Sequence, residues 1–507
     1  MRILYATPEI SPWVKTGGLG DVAGALPRAL AALGADVRIL VPGYPGLLAA
    51  FPERAFVAEF QQPGGRLYGA RLEYAQTADG LDLWIIDCPA YYARIGMPYQ
   101  DEHGRDWPDN YLRFGLLSRT AAWLASRDGT LPWQPDILHC NDWQSALAPA
   151  YLRYRLRAAA PTLLTIHNLA FQGIFPASTL AELDLPPEAF HIDGVEYYGS
   201  LSFLKAGLQM ADWITTVSPT YAREIQSPEY GFGLDGLLRH RSGRLTGILN
   251  GIDTATRDPS ADAYISCRYD AAHLECKREN KKSLQARLGL AIDERVPLLG
   301  VVSRLTAQKG LDLLAAIADD LVAAGAQLAV LGAGEHALQD GFQDLAHRHP
   351  RHIAAVIGYD DGLARQIEAG ADIFLMPSRF EPCGLGQMYA MRYGTIPVVR
   401  ATGGLADTVV DASPAATAEG RATGFVFREA SAAALLHAIR RALDAWHNPP
   451  RWRRLQETGM RQDFGWTASA RRYLDLYRAI GAAGAPEDAA HALPLDAGTD
   501  GEPRARG

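Results

Sequence analysis

Charged residues follow several apolar segments of the sequence, and their types suit the binding of a phosphorylated sugar. Lys15 lies in a glycine-rich segment with Gly17 and Gly18, shortly after the apolar residues 3–6. A glycine-rich loop between a strand and a helix offers backbone N–H groups to a phosphate, and the helix dipole favours the same negative charge. Alone, this loop is also consistent with a tight turn in which the glycines serve packing only.

Four further polar clusters come directly after predicted strands. They contain Asp142, His167, Arg304 with Lys309, and Glu381. Each has a structural alternative: a helix cap for the carboxylates, a core position for the histidine and a solvated loop charge for Arg304. Together with Lys15, however, the set fits a diphosphate with an attached sugar, because Arg bonds two phosphate oxygens and Lys supplies a point charge.

The expected chemistry is electrostatic and needs no metal. No Asp-x-Asp motif occurs in the body of the sequence, so a Mg²⁺ held on the diphosphate in that way is not expected, and no cofactor is predicted. The cations would instead neutralise a departing nucleoside diphosphate. The five cysteines are scattered without CxxC spacing, which predicts neither a disulfide nor a zinc site and indicates a reduced, cytoplasmic compartment.

The composition is that of a globular enzyme with more than one domain. A length of 507 residues exceeds what one hydrophobic core usually holds, and 48% of the residues are hydrophobic and 21% charged. A net charge of −8 argues against nucleic acid or an anionic membrane as the main partner. No apolar run approaches the ~18 residues of a membrane span.

Strand and helix patterns alternate in both halves, which predicts an α/β protein with two doubly wound parallel sheets. The predicted strands are 3–6, 37–41, 83–86, 137–139, 162–166 and 213–217, then 298–302, 327–331, 353–356, 373–376, 397–399 and 424–427. The predicted helices include 22–33, 311–324 and 384–393. Because ligands bind beyond the carboxyl ends of such strands, a cleft between the sheets would bring both sets of loops to one ligand.

The predicted domains are 1–248 and 249–464, with a hinge near Asn250-Gly251, which is a turn signal. The segment 483–507 is rich in Ala, Gly, Pro and acidic residues and is predicted to be a disordered tail.

Seven motifs resemble those of bacterial and plant glycogen and starch synthases, in the same order. They are KTGGLGDV at 15–22, DWPDN at 106–110, TIHNLAFQG at 165–173, TVSPTYA at 216–222, SRLTAQKGLD at 303–312, EPCGL at 381–385 and TGGLADTV at 402–409. The resemblance implies a GT-B fold, with two Rossmann-like domains facing a central cleft and a last helix, within 465–482, that crosses back to the first domain. It also implies an ADP-glucose-dependent enzyme that extends an α-1,4-glucan such as glycogen with retention of anomeric configuration.

The resemblance also implies the site residues. Those implied to bind the donor are Lys15, Gly17, Gly18, Asp21, Asp142, Asn250, Arg304, Lys309, Tyr359, Glu381, Cys383, Gly384 and Leu385. Those implied to act in catalysis are Lys15, His167, Arg304, Lys309 and Glu381. In this scheme His167 lies near the reacting carbon, Tyr359 stacks on the adenine, and helix-start N–H groups of the 381–385 segment bind the glucose hydroxyls.

Two positions depart from the family pattern. Arg257-Asp258-Pro259 replaces the usual Trp-Asn-Pro, and Gly386 replaces the usual Thr. The first is expected to affect local packing more than chemistry, and the second, beside the 381–385 segment, is expected to affect donor affinity.

Three alternative functions are compatible with parts of the sequence. A dinucleotide oxidoreductase fits G-x-G-x-x-A at 18–23, but the second predicted strand ends without the acidic residue that would hold the ribose. A non-catalytic glucan-binding protein would not need Lys15, Arg304, Lys309 and Glu381 together. The third has the same fold and uses UDP-glucose, or makes a short oligosaccharide instead of a polymer.

Overall fold

Two large sheets and one small sheet organise the computed structural model, which describes residues 1–61 and 64–482. The predicted disordered tail at 483–507 lies outside the described residues. The strands are β1 (Arg2–Ala6), β2 (Asp36–Pro42), β3 (Ala55–Phe60), β4 (Ala70–Gln76), β5 (Asp82–Asp87), β6 (Ile137–Asn141), β7 (Thr162–Ile166), β8 (Ile174–Pro176), β9 (Glu196–Tyr197), β10 (Ser200–Ser202), β11 (Trp213–Thr216), β12 (Leu245–Gly247), β13 (Leu298–Val302), β14 (Gln327–Gly332), β15 (Ile353–Ile357), β16 (Ile373–Met376), β17 (Ile396–Arg400) and β18 (Phe425–Phe427).

Both large sheets are doubly wound. The first has nine strands in the order β12-β11-β7-β6-β1-β2-β5-β4-β3, and the second has six in the order β15-β14-β13-β16-β17-β18. All neighbouring pairs are parallel except β5–β4 and β4–β3. The winding reverses between β1 and β6 and again between β13 and β16, and such points are where ligands bind. The prediction of two doubly wound sheets is confirmed.

Helices cover both faces of each large sheet, so the central strands are buried on both faces. β6 and β7 are buried along their whole length. The antiparallel pair β3–β4 was not predicted. β3 is an apolar segment at the sheet edge, and none of its six residues is buried. β12 and the small sheet β8-β10-β9 were not predicted either, because their strands have only two or three residues.

The helices pack their apolar stripes on these sheets. They are α1 (Gly18–Ala32), α2 (Pro45–Ala50), α3 (Pro89–Tyr92), α4 (Asn110–Leu124), α5 (Asp142–Ser145), α6 (Ala148–Tyr154), α7 (Thr179–Glu182), α8 (Phe203–Met210), α9 (Pro219–Glu224), α10 (Asp235–His240), α11 (Cys276–Arg287), α12 (Leu311–Ala315), α13 (Ala318–Ala323), α14 (His336–Arg348), α15 (Asp361–Gly370), α16 (Gly386–Arg392), α17 (Gly403–Thr408), α18 (Pro414–Ala418), α19 (Ala432–Trp446), α20 (Pro449–Met460) and α21 (Trp466–Ala482). None of those in the described residues is long and apolar enough to cross a membrane.

Three helix predictions need correction. α1 begins at Gly18 instead of residue 22, so the glycine-rich loop forms the first helical turn. The predicted helix 311–324 is broken, because the buried Ile317 adopts φ −110° and ψ 6° between α12 and α13. The predicted helix 384–393 begins only at Gly386, after a left-handed Gly384 with φ +71°.

The chain crosses from one sheet's domain to the other's twice, after β12 and before α21, and the two crossings lie side by side. After β12, the Ile252 N–H donates to the Phe464 carbonyl at 2.8 Å, and the Ser469 hydroxyl donates to the Leu249 carbonyl at 2.5 Å. α21 then packs in the core of the first sheet, where the Tyr477 hydroxyl lies 2.8 Å from Nδ1 of His139. The domain limits at 248, 464 and 482 stay predictions.

The expectation that no cysteines pair is wrong. Cys267 and Cys276 form a disulfide, whereas Cys88, Cys140 and Cys383 are free and buried. The two paired residues are separated by 9 positions. The short spacing patterns used in the sequence analysis do not detect such a pair, because the fold between β12 and α11 brings the two side chains together.

Candidate active site

A buried carboxylate, Glu9, holds the glycine-rich loop between β1 and α1. Thr16 donates its N–H to Oε2 of Glu9 at 2.6 Å and its hydroxyl to Oε1 at 2.5 Å, and the Tyr99 hydroxyl also donates to Oε1. Glu9 is only 2% exposed. Glu9 was not predicted as a site residue, although it lies just beyond β1, where the winding of the sheet reverses. These hydrogen bonds to Glu9 therefore hold the glycine-rich loop in place without a contribution from a ligand.

The outer side of the same loop faces the second sheet. The Lys15 ammonium lies 2.8 Å from the Asp21 carboxylate, and a methyl group added at Gly18 would lie 3.8 Å from Cδ1 of Leu385. Burial would raise the pKa of Asp361, at the start of α15, but Arg257, Arg365 and Lys15 hold it below its usual value. The structure thus brings Lys15, Asp21 and Gly18 to the residues of the second sheet.

Beyond β6, Asp142 is buried in the left-handed region with φ +57°. This is a conformation that only Gly, Asn and Asp adopt readily. Its Oδ1 accepts the His167 N–H at 3.3 Å. Burial raises the pKa of Asp142 to about 7, and Glu9 adds to the rise, whereas the N–H donors of residues 167 and 168 oppose it. Asp142 is the first residue of α5 and is not its cap.

His167, at the end of β7, is a neutral hydrogen-bonding residue. Burial lowers its pKa to about 3. Its Nε2 lies 3.0 Å from Oδ1 of Asn141, whose amide Nδ2 donates to the Ala6 carbonyl at 3.1 Å. With the amide oriented in this way, His167 carries its proton on Nε2. Asn141 was not predicted as a site residue, and it determines the tautomer of His167.

In the second sheet, the loops after β13 and β16 bring Arg304, Lys309 and Glu381 to the other reversal of the winding. The Lys309 ammonium lies 2.6 Å from Oε2 of Glu381, which also accepts the Ser378 hydroxyl at 2.9 Å. Arg304 is exposed, and its guanidinium makes no hydrogen bond or ion pair with any residue in the described ranges. Its positive charge is therefore available to a ligand.

The 381–385 turn precedes α16 and is not part of it, since Leu385 is the N-cap. Burial raises the pKa of the Cys383 thiol to about 12. Gln387 donates to the carbonyls of Cys383 at 3.2 Å and Gly384 at 2.9 Å, which turns the carbonyls toward α16. The segment 381–385 precedes α16, so a contact of its N–H groups with glucose hydroxyls stays a prediction, and those groups are not at the start of a helix as the resemblance implied.

A glycine pair that the sequence analysis did not assign to the site lies against this turn. A Cβ atom at Gly403 would be 1.9 Å from the Glu381 carbonyl oxygen, and one at Gly404 would be 2.0 Å from that of Cys383. No side chain larger than hydrogen fits there. The only signal in the sequence was the TGGLADTV motif itself.

The two remaining predicted residues differ in exposure. Asn250 is buried, and its Oδ1 has no hydrogen-bond partner among the described residues. Tyr359, between β15 and α15, is 76% exposed. Such exposure suits a ring that a ligand would cover.

The replacement at Arg257 builds a charged cluster. Its guanidinium lies 2.9 Å from both Glu368 and Asp361 and stacks 4.5 Å above the Tyr389 ring. Arg392 pairs with Asp258 at 3.0 Å. Arg257 and Asp258 stand where the family has Trp-Asn. The replacement was expected to affect local packing, and in the structure it forms a network of ion pairs. No feature of the structure tests the expected effect of Gly386 on affinity.

The described residues contain no group of three or more His, Cys, Asp or Glu side chains placed to hold a metal ion. The candidate site contains three cations: Lys15 from the first domain, and Arg304 and Lys309 from the second. Such a set can hold and neutralise a diphosphate.

Comparison with known proteins identifies the family of the chain. Residues 2–240 match the family described as the starch synthase catalytic domain, and residues 285–459 match glycosyl transferases group 1. A glycogen synthase from Dechloromonas aromatica (strain RCB) is 55% identical over 94% of this chain and 98% of its own length. One from Aromatoleum aromaticum is 54% identical over 96% of this chain and 98% of its own length.

Two solved structures are similar over 95% of this chain and 99% of their own. The catalytic domain of starch synthase IV from Arabidopsis thaliana, bound to ADP and acarbose, has a TM-score of 0.84 and 32% identity. Sucrose-phosphate synthase from Thermosynechococcus elongatus, with a TM-score of 0.58 and 19% identity, shares the fold alone. The GT-B fold implied by the resemblance is confirmed, and the protein belongs to the glycogen synthase family of glycosyltransferases.

Proposed function

We propose that this glycogen synthase transfers glucose from ADP-glucose to the non-reducing end of an α-1,4-glucan with retention of configuration, which elongates glycogen. The observation that carries the proposal is the placement of Lys15 on one sheet and of Arg304 and Lys309 on the other, at the two reversals of the winding. The nucleotide in the Arabidopsis starch synthase IV structure is ADP, which favours adenine in the donor. The cytoplasm stays the proposed setting, although the Cys267–Cys276 disulfide removes the argument from unpaired cysteines, and no metal or other cofactor is proposed.

The proposed donor contacts follow from the types of the groups. Lys15 and the N–H groups near Gly17 and Gly18 bind the diphosphate, with Asp21 orienting Lys15 through their ion pair. Arg304 and Lys309 bind the distal phosphate. Tyr359 stacks on the adenine, and its exposure leaves the ring available for that contact.

The glucose is proposed to lie between the two sheets. Glu381 and the backbone of Cys383, Gly384 and Leu385 bind its hydroxyl groups from one side. Asp142, Asn250 and His167 line the other side, and the unpartnered Oδ1 of Asn250 supports a polar ligand there.

Glu381 is better suited to electrostatic stabilisation than to nucleophilic attack. Its Oε2 accepts hydrogen bonds from both Lys309 and Ser378, and these bonds withdraw electron density from the carboxylate. We therefore favour front-face departure. The bond from the glucose C1 to the phosphate oxygen breaks, the acceptor O4 bonds to C1 on the same face, and the O4 proton passes to the departing phosphate.

The test supplies purified protein and glycogen with labelled ADP-glucose or, separately, labelled UDP-glucose. We expect label in precipitable polymer from ADP-glucose and its release by an α-1,4-specific amylase. No incorporation from ADP-glucose would refute the proposal. Preferred incorporation from UDP-glucose, or product that does not precipitate, would establish the alternative donor or a short oligosaccharide product.

A further inference from the structure

Two carboxylates, Glu224 in α9 and Asp407 in α17, form reciprocal hydrogen bonds between the two domains. Each accepts hydrogen bonds from residues close to the other carboxylate in sequence. Glu224, the last residue of α9, accepts the Gly403 N–H at 3.0 Å on Oε1 and 3.1 Å on Oε2, and the Thr402 hydroxyl at 3.0 Å. In return Asp407, in α17, accepts the Thr220 N–H at 2.9 Å and its hydroxyl at 2.6 Å. These bonds join residues of the first sheet's domain to residues of the second.

The contact at Gly403 continues directly to the 381–385 turn. The Gly404 N–H donates to the carbonyls of Glu381 and Pro382, both at 3.2 Å. Since neither Gly403 nor Gly404 leaves room for a Cβ atom against this turn, the two backbones are in direct contact. A displacement of Gly403 therefore displaces the carbonyls of the turn.

The same part of the first domain also contacts the residues that directly precede the turn. Phe232, in the left-handed region with φ +48°, packs edge-on against Phe380 with ring centroids 5.4 Å apart. Two residues earlier, the Tyr230 hydroxyl accepts from Arg400 at 3.3 Å, and Arg400 also donates to the Arg379 carbonyl. The segment 219–233 thus contacts Phe380 just before the turn and, through Gly403, is linked to the turn itself.

We infer that Glu224 is a positioning residue for glucosyl transfer: it acts across the cleft, through Thr402 and Gly403, to set the position of the 381–385 turn. Glu224 belongs to the opposite domain, so the turn takes its final position only when the two domains are together. Glu224 is half-buried and does not belong to the predicted donor contacts. The catalytic part of this inference rests on the proposed function.

The test compares Glu224→Ala with Glu224→Gln and with Glu188→Ala, which removes an exposed carboxylate of the same domain. The diphosphate contacts are intact in all three, so we expect Glu224→Ala to lower kcat at least tenfold and to change KM for ADP-glucose less than threefold. Glu224→Gln, which keeps one acceptor oxygen, should recover part of kcat. Asp407→Asn should lower kcat in the same direction, and Glu188→Ala should leave it unchanged.

Hydrogen exchange provides a readout that does not depend on the donor. In the folded Glu224→Ala variant, we expect faster exchange in peptides that contain 402–404 and 381–385, with unchanged exchange in β1 and β6. Unchanged exchange there, or a kcat within twofold of the wild type, would overturn the inference. If the wild type fails to use ADP-glucose but the exchange result holds, the proposed donor is wrong and the positioning contact stands.

Discussion

The Lys309 ammonium lies 2.6 Å from Oε2 of Glu381, and both side chains are largely buried. Removal of one member of such a pair leaves an unbalanced buried charge, whereas removal of both charges does not. Stability and catalysis at this pair can therefore be separated.

We predict that Lys309→Met lowers the free energy of unfolding by about 3 kcal/mol and abolishes incorporation of glucose. The double variant Lys309→Met with Glu381→Gln should regain most of the stability and remain inactive. Urea unfolding together with label incorporation measures both effects. Recovery of activity in the double variant would contradict the proposed roles of both residues.

Replacement of Arg304 should affect activity without affecting stability, because its guanidinium has no partner in the described part of the chain. We predict that Arg304→Ala changes the free energy of unfolding by no more than about 0.5 kcal/mol. Activity should fall at least about 100-fold, since one donor to the departing charge is lost. The control is Arg351→Ala, another exposed arginine of the same domain. Equal activity in the two variants would remove Arg304 from the mechanism.

Asp142 makes stability depend on pH. Its pKa is about 7 in the folded protein and about 3.8 without burial. The unfolded chain therefore loses this proton first, and the free energy of unfolding falls as the pH rises from about 4 to about 7, by at most about 4 kcal/mol.

Asp142→Asn should remove this pH-dependent fall in the free energy of unfolding, and asparagine still permits the left-handed backbone at position 142. We predict that the variant is more stable than the wild type at pH 8, and that the difference shrinks at pH 5. Urea unfolding at both pH values is the measurement, with Asp193→Asn as an exposed control. A difference that does not change with pH would contradict the raised pKa.

The Arg257 cluster gives a second pH-dependent prediction. Burial raises the pKa of Glu368 to about 7, and Arg257 opposes that rise. In Arg257→Met the pKa of Glu368 should rise further, so ionisation costs more and the destabilisation should be larger at pH 8 than at pH 6.

In the same background, Glu368→Gln should restore stability at pH 8, because no buried carboxylate remains to be ionised. Thermal unfolding of the single and double variants at both pH values tests this. An equal loss at pH 6 and pH 8 would show that the lost contact with Tyr389, and not the charge, causes the effect.

The parts of the site that depend on one strand and its following loop were predictable. Apolar runs identified β1, β6, β7, β13 and β16, and polar residues directly after them had to lie at the carboxyl edges of two sheets. The placement of these polar residues at the sheet edges was therefore predictable, as were the family and its fold; they are Lys15, Asp142, His167, Arg304, Lys309 and Glu381.

The parts of the site that depend on contacts between distant segments could not be predicted from the sequence. Glu224 and Gly403 are 179 residues apart, and neither the spacing nor the residue type of Glu224 indicates a partner. The same holds for Glu9 beneath the glycine-rich loop and for the disulfide of Cys267 with Cys276.

The sequence by itself determined which residues carry charge and on which strand ends they lie, because periodicity and turn chemistry are local properties. Only the tertiary structure decided which carboxylate meets which donor. Burial then set the consequences: it raised the pKa of Asp142 and Glu368, lowered that of His167, and left Arg304 exposed with its charge unpaired within the described residues. Desolvation and pairing are properties of the packed chain, and no local pattern in the sequence encodes them.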